Sequence, residues 1–351
     1  MRTLDLSTRK PTYTVDVRAS LLFECVLGLA AVTYAEIRDS LERKTPEWED
    51  MMSRMGTENR EELEYCAKQN TWQALLRLLH GYGGADLAEF LRYVQGLSEE
   101  EFRYQVLPPL GGFREEELRR LAARGDAEAA RELTAAAAGR GFLVSYIPFF
   151  LKEDADRLKT HLVRLMHSWY QAAIAPREEE WASILQRETD AKRAMQKRMS
   201  PEAFVEWATG SAYLPETGVQ QVLLVPQIAY RPWKIQADLS GTKVFYYPVS
   251  DESLYGDDDP YRPSAELVLL CKALGDENRL RILKLLHERE RTLQELTETL
   301  DLAKSTIHHH LVLLRSAGLV ISNGTVYVLK PSRLRQVESS LEAYIGLTHE
   351  G

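Results

Sequence analysis

The sequence predicts a mainly α-helical chain: an N-terminal multi-helix domain with a small antiparallel sheet, followed by a C-terminal winged helix-turn-helix. Three observations lead there. Apolar residues recur at helical spacing from about Ala19 to Thr209. From Gly218 to Val249 the pattern turns strand-like. After an acidic stretch, a run of short helical patterns ends in a hairpin built on Asn323-Gly324.

The N-terminal region opens with Thr-Tyr-Thr-Val-Asp-Val at 12–17, which alternates like a short strand. The apolar run Leu21 to Ala35 contains Glu24 and falls short of the ~20 residues of a membrane span, so it reads as a buried helix. Pro46 and Pro201 suit a first helical position, with Thr45 and Ser200 as caps. Ser98-Glu-Glu-Glu101 fits a capping box, and Glu178-Glu-Glu180 is favourable charge at a helix start. Gly81 to Gly84, Pro108-Pro109 with Gly111-Gly112, and Gly139 to Gly141 punctuate the run, predicting eight to ten helices. Three strands follow, Val219–Val225, Trp233–Leu239 and Lys243–Val249, with a tight turn at Ser240-Gly241. The acidic, Pro- and Gly-containing segment 250–263 reads as a linker. The expected domains are therefore a helical 1–217, an attached sheet 218–249, the linker 250–263, and a module at 264–351.

In that module, Ala265 to Gly275 is an amphipathic helix ending in glycine. Asp276 can cap the next helix, whose Leu280, Ile282, Leu283, Leu285 and Leu286 form an inward stripe. Thr292-Leu-Gln-Glu295 is a capping box for a short third helix. Lys304 to Ala317 is the fourth, closed by Gly318, and 319–329 form a two-stranded wing. This order places the helix 304–317 in the major groove of double-stranded DNA. Ile307, Leu311 and Leu314 share its inward stripe, and His310 falls on the flank. The residues expected to meet DNA are Lys304, Ser305, Thr306, His308, His309 and Arg315 on the helix, with Asn323 and Lys330 at the wing.

Charge agrees with a small footprint. From Ser264 onward there are 11 Lys and Arg against 11 Asp and Glu, so the whole net charge of −8 lies in the preceding region. Between 301 and 335, Lys304, Arg315, Lys330, Arg333 and Arg335 stand against Asp301 alone. Few phosphate contacts favour a homodimer.

The segments Leu270–Leu286, Ala303–Leu311 and Leu314–Val320 resemble, in order and spacing, the ArsR family of bacterial repressors. The whole chain then looks like a long form with a large N-terminal region. The resemblance implies a Ser-Thr-(Val/Ile)-Ser-(Arg/His)-His-Leu recognition pattern. Ser305, Thr306, Ile307, His309, His310 and Leu311 fit it, His308 stands where serine is usual, and Ala303 replaces the usual serine cap. It also implies dimer contacts through the helix before Gly275 and a final helix near Arg333 to Leu347, where Leu334, Val337, Leu341, Tyr344 and Ile345 recur at helical spacing. The thiolate pair of metal-sensing members falls on Thr292 and Gln294, neither a soft ligand. Adjacent helical histidines sit about 100° apart, so His308, His309 and His310 do not converge on one ion. No metal and no cofactor are expected.

The N-terminal region shows no phosphate loop, no HExxH and no GxSxG, which argues against an enzyme. His161 and His167 do not share a helical face. Trp169, Tyr170, Trp181, Trp207, Tyr213 and Trp233 are either core or the lining of an apolar pocket. Three isolated cysteines, Cys25, Cys66 and Cys271, and no signal-type start suit a cytoplasmic protein without membrane association. The expectation is a sequence-specific transcriptional regulator, a repressor, controlled through a small-molecule or protein effector of the N-terminal domain. The alternative is a structural, dimerising or enzymatic N-terminal domain that uses the winged helix only for docking.

Overall fold

The computed structural model describes residues 13–346 apart from 39, 112, 212, 215, 257–260, 262 and 324. The chain divides into two compact units, Met1–Ser253 and Leu254–Gly351.

Unit 1 begins with strand β1 (Thr14–Val17) and helix α1 (Leu21–Thr33). The helices α2 (Ala35–Arg38), α3 (Thr45–Arg54), α4 (Arg60–Gln69), α5 (Trp72–Tyr82), α6 (Leu87–Gly96) and α7 (Glu99–Val106) follow. Then come α8 (Phe113–Ala123), α9 (Ala127–Ala136), α10 (Leu143–Lys152) and α11 (Ala155–Trp169). A π turn at Tyr170–Ile174 leads to α12 (Glu178–Gln196) and α13 (Pro201–Thr209). Strands β2 (Gln221–Gln227), β3 (Ile235–Leu239) and β4 (Thr242–Pro248) and the short helix α14 (Asp251–Tyr255) complete the series.

Thirteen α-helices thus lie among the described residues between Leu21 and Thr209, where eight to ten were expected. The extra boundaries are side-chain caps: Asp86, Asp126 and Asp154 each accept a backbone N–H of the following turn. Ser98 and Ser200 cap as expected. At α3 the cap position is Lys44, so Thr45 is already helical and Pro46 sits second. Helix α1 is buried on every side from Leu22 to Val32, as an apolar run too short for a membrane requires. Among the described residues no helix is long and apolar enough to cross one. The carboxylate of Glu24 is stapled inside: it accepts from the Ile228 N–H at 2.8 Å, tying α1 to the segment after β2.

The sheet corrects the expectation of an antiparallel arrangement. Its order is β1-β2-β4-β3, with β1-β2 and β2-β4 parallel and only β3-β4 antiparallel. The reason is burial. Strand β2 is covered on both faces from Val222 to Gln227 and β4 from Val244 to Tyr247, the pattern of parallel strands roofed by helices. Strand β3 alternates between half-buried and exposed and occupies an edge. One face packs Val17, Val222, Leu224, Phe245 and Tyr247 against Phe204 and Val205 of α13.

The segment read as a linker is partly structured. The Ser250 N–H donates to Glu188 at 2.9 Å and Arg187 donates to the Ser253 carbonyl, so 250–253 belongs to unit 1 and opens α14. Residues 257–260 and 262 of that segment lie outside the described residues.

Unit 2 contains α15 (Ala265–Leu274), α16 (Glu277–Glu288), β5 (Arg291–Thr292), α17 (Leu293–Leu300), α18 (Lys304–Ser316), β6 (Val320–Asn323), β7 (Val326–Leu329) and α19 (Pro331–Ile345). Its core joins Leu270, Ile282, Leu283, Leu286, Leu296, Ile307, Leu311 and Leu314. Leu280, placed in the inward stripe, is 49% exposed, because the buried set 282, 283 and 286 turns it outward. The hairpin β6-β7 gains a third strand, β5, paired antiparallel to β7. Two residues are too few to show alternation in a sequence.

Candidate nucleic-acid interface

The interface is assembled by caps and by one buried stripe. The Asp276 side chain accepts from the Arg279 N–H at 3.0 Å and starts α16. At α17, Thr292 accepts from the Glu295 N–H at 3.2 Å while Glu295 accepts from the Thr292 N–H at 2.8 Å, a reciprocal capping box. These bonds, with Arg289 at 2.7 Å, hold the Glu295 carboxyl down to about 2. Asp301 then turns the chain in the left-handed region, φ 53°, where a short polar side chain is tolerated. Helix α18 starts at Lys304 after Ala303, which offers no side-chain cap.

The faces of α18 separate cleanly. Ile307, His310, Leu311 and Leu314 are buried, while Lys304, Ser305, Thr306, His308 and His309 are exposed. Arg315 is half-buried in the last turn. Gly318, φ 70°, ends the helix and passes the chain to the wing. Lys330 follows β7, its N–H donating to the Leu319 carbonyl at 2.9 Å. The Asn323 side chain and Gly324 at the tip lie outside the described residues. The structure therefore gathers five of the expected residues on one exposed helical face and sets Lys330 at the wing's base.

His310 was expected on the flank and is instead in the core, 8% exposed. It completes the i, i+3, i+4, i+7 set with Ile307, Leu311 and Leu314, a spacing visible in the sequence. Its Nδ1 stands 3.8 Å from the Asp276 carboxylate, too far for a hydrogen bond but close in charge. Burial lowers the proton affinity of His310, and Asp276 offsets part of that. Arg279, three residues after Asp276, donates to the carbonyls of Ala273 and Lys272, both at 2.8 Å, and locks the end of α15 to the start of α16. Helix α18 is thus seated on α16 through a polar contact as well as through leucines.

Thr292 and Gln294 are engaged otherwise: the first in the capping box, the second donating to Glu298 at 2.9 Å. No group of three His, Cys, Asp or Glu among the described residues is placed to hold a metal ion. In unit 1, Trp169 and Trp181 are core residues, Trp207 is 43% exposed, and Trp233 donates to Ser40 at 2.8 Å. His161 is buried between Thr71, at 2.8 Å, and Glu62. A shallow surface cavity of about 250 Å³ is lined by Glu100, Tyr104, Arg120, Ala123 and Arg124, remote in sequence from those aromatics.

Helix, turn, helix and a three-stranded wing define unit 2 as a winged helix-turn-helix. Residues 276–322 match the family described as bacterial regulatory protein, arsR family, so this unit carries an ArsR-family helix-turn-helix domain. The transcriptional activator HlyU of Vibrio cholerae serotype O1 is 44% identical over 57 residues, 16% of this chain and 53% of that protein. The chain therefore spans about half the length of the curated relative it matches. No solved structure matches the chain.

Proposed function

We propose that the chain is a DNA-binding transcriptional regulator that reads its operator with α18 and the wing. The observation that carries this is the exposed row Lys304, Ser305, Thr306, His308 and His309 on a helix whose other face is buried. Lys304, Arg315 and Lys330 suit phosphates; His308 and His309 suit base edges. The match to a regulator family and the relative's name support the same reading.

The proposed working form is a homodimer on an inverted repeat with half-sites about one turn, ~10 bp, apart. Helix α19 supports it: Leu334 and Val337 pack on the unit's own core, while Leu341, Tyr344 and Ile345 stay exposed at 41%, 41% and 57%. Repression is proposed as the sense of control, with unit 1 as the site where an effector acts. The test is selection of bound sequences from a random DNA pool with the full chain. A reporter placed behind the recovered operator then follows. Recovery of an inverted repeat, bound at least about fivefold more weakly by His309→Ala, is expected. A pool that stays random removes the DNA reading, and a reporter that is switched on, the sense in which the relative is named, replaces repression by activation.

A further inference from the structure

Helix α18 carries its exposed row and its buried stripe on neighbouring residues, so a shift of the buried side re-aims the exposed one. One member of the stripe is not apolar. His310 is buried with Ile307, Leu311 and Leu314, and its ring centroid lies 6.3 Å from that of exposed His309. Its Nδ1 is buried and has no hydrogen-bond partner. The Asp276 Oδ1 stands 3.8 Å from that atom. The same oxygen accepts the Arg279 N–H at 3.0 Å and so starts α16. The gap between ring and carboxylate is about 1 Å longer than a hydrogen bond.

Burial is the largest influence on the proton affinity of His310 and lowers it; Asp276 works the other way, and Arg279 and His309 side with burial. Arg279 is itself committed to the carbonyls of Ala273 and Lys272. Lys272 of α15, Glu277, Arg281, Lys284, His287 and Glu288 of α16, Glu298 of α17, and Lys304 and His308 of α18 are exposed. Glu295 of α17 is held by Thr292 and Arg289, and β6 carries no titratable side chain. The ring is therefore neutral near pH 7, and a neutral imidazole has its proton on one nitrogen only. A carboxylate suits the nitrogen that carries the proton, so Asp276 selects the form with the proton on Nδ1.

We propose that His310 is a positioning residue of the DNA-reading face: its Nδ1–H and the Asp276 carboxylate form a latch between α18 and the first turn of α16, open in the free chain and closed when α18 settles on DNA. Drawing Nδ1 into hydrogen-bond range moves α18 against α16 on the scale of about 0.5 Å or more, where a reading side chain gains or loses its contact. His310 is buried and touches no base itself; it acts through Lys304, His308 and His309, whose placement follows the helix. The positioning role rests on the reading of α18 as the DNA-contacting helix, whereas the bond between ring and carboxylate does not.

The experiment has two arms, both on the full chain. In the first, nitrogen NMR of labelled histidine reads the tautomer of His310, assigned by the signal lost in His310→Leu. The parent should show the proton on Nδ1. Asp276→Asn keeps the helix cap, since asparagine caps as well as aspartate, but removes the charge. It should shift the proton towards Nε2 and lower the pH at which this ring titrates. In the second arm, operator and scrambled duplex are titrated with the parent and the variants. Each variant should lower the operator-to-scrambled affinity ratio about fivefold without weakening binding to scrambled duplex, and the double variant should be no worse than either. His310→Leu completes the apolar stripe and should keep or raise Tm; if it does not fold, Asp276→Asn, which shifts one ring alone, decides both arms. A proton on Nε2 in the parent, or a tautomer that Asp276→Asn leaves alone, overturns the latch. An unchanged ratio for variants of a parent that has an operator overturns the positioning role. A parent without an operator removes the DNA reading and the positioning role with it, while the first arm still judges the latch.

Discussion

At the scale of single residues, the interface depends on which side chains α18 keeps and which it offers. Lys304 and His309 are both exposed but are assigned different work. Lys304→Ala should weaken binding to all DNA sequences alike and flatten the salt dependence by about one charge. His309→Ala should cost about 1–3 kcal/mol on the operator and relax specificity at one base pair. Titrations on operator and scrambled duplex at two salt concentrations separate the two; identical profiles for both variants would refute the assignment. A second residue prediction concerns His80. Its proton affinity in the fold is held down to about 3, well below the ordinary histidine value of ~6.5. The unfolded chain then binds more protons in that window, so stability contributed by neutral His80 is present near pH 7 and lost as pH falls, by up to about 1.4 kcal/mol per unit. Buried Glu24, whose proton affinity burial raises, works in the opposite direction, so the comparison must be made against a variant. Urea unfolding at pH 7, 5.5 and 4.5 should show a shallower loss in His80→Gln than in the parent chain; equal slopes would sink the argument.

At the scale of elements, α17 and α19 each carry a specific expectation. The two Thr292–Glu295 bonds satisfy donors that a helix start leaves open. Thr292→Ala should destabilise unit 2 by about 1 kcal/mol without altering base preference. Unchanged denaturant stability would show that the box contributes nothing. Helix α19 splits along its length, inward at Leu334 and Val337 and exposed at Leu341 and Ile345. A Leu341→Glu, Ile345→Glu double variant should remain folded and become monomeric by light scattering at micromolar concentration, with operator affinity reduced at least tenfold. A dimer of undiminished affinity would place the proposed contact elsewhere.

At the scale of the whole molecule, the boundary between the units is the testable feature. Hydrogen bonds from the Ser250 N–H to Glu188 and from Arg187 to the Ser253 carbonyl hold 250–253 in unit 1. Tyr261 is 84% exposed in the acidic, proline-containing stretch that follows. Chymotrypsin at low ratio should cut first after Tyr261, since exposed polar connections are preferred nicking sites. Mass spectrometry of the first fragments decides it. Initial cleavage within α1–α13 would argue that the chain is not divided there for a protease.

Particular elements show what could be read in advance. The capping box at Thr292, the Gly318 stop, the Asn323-Gly324 hairpin and the apolar stripe of α18 are local signals, because caps, left-handed turns and helical periodicity act over four residues or fewer. They were sufficient to derive the winged unit and the exposed face of α18 from sequence. The parallel pairing of β1 with β2 joins residues some two hundred positions apart, and β5 is two residues long. Neither has a local signature. The same holds for Glu24 meeting Ile228 and for His310 meeting Asp276. The sequence by itself determined where helices and turns occur and which face of α18 is free, since those follow from short-range bonding. Only the tertiary structure decided which distant polar groups meet, because that depends on side chains brought together by packing.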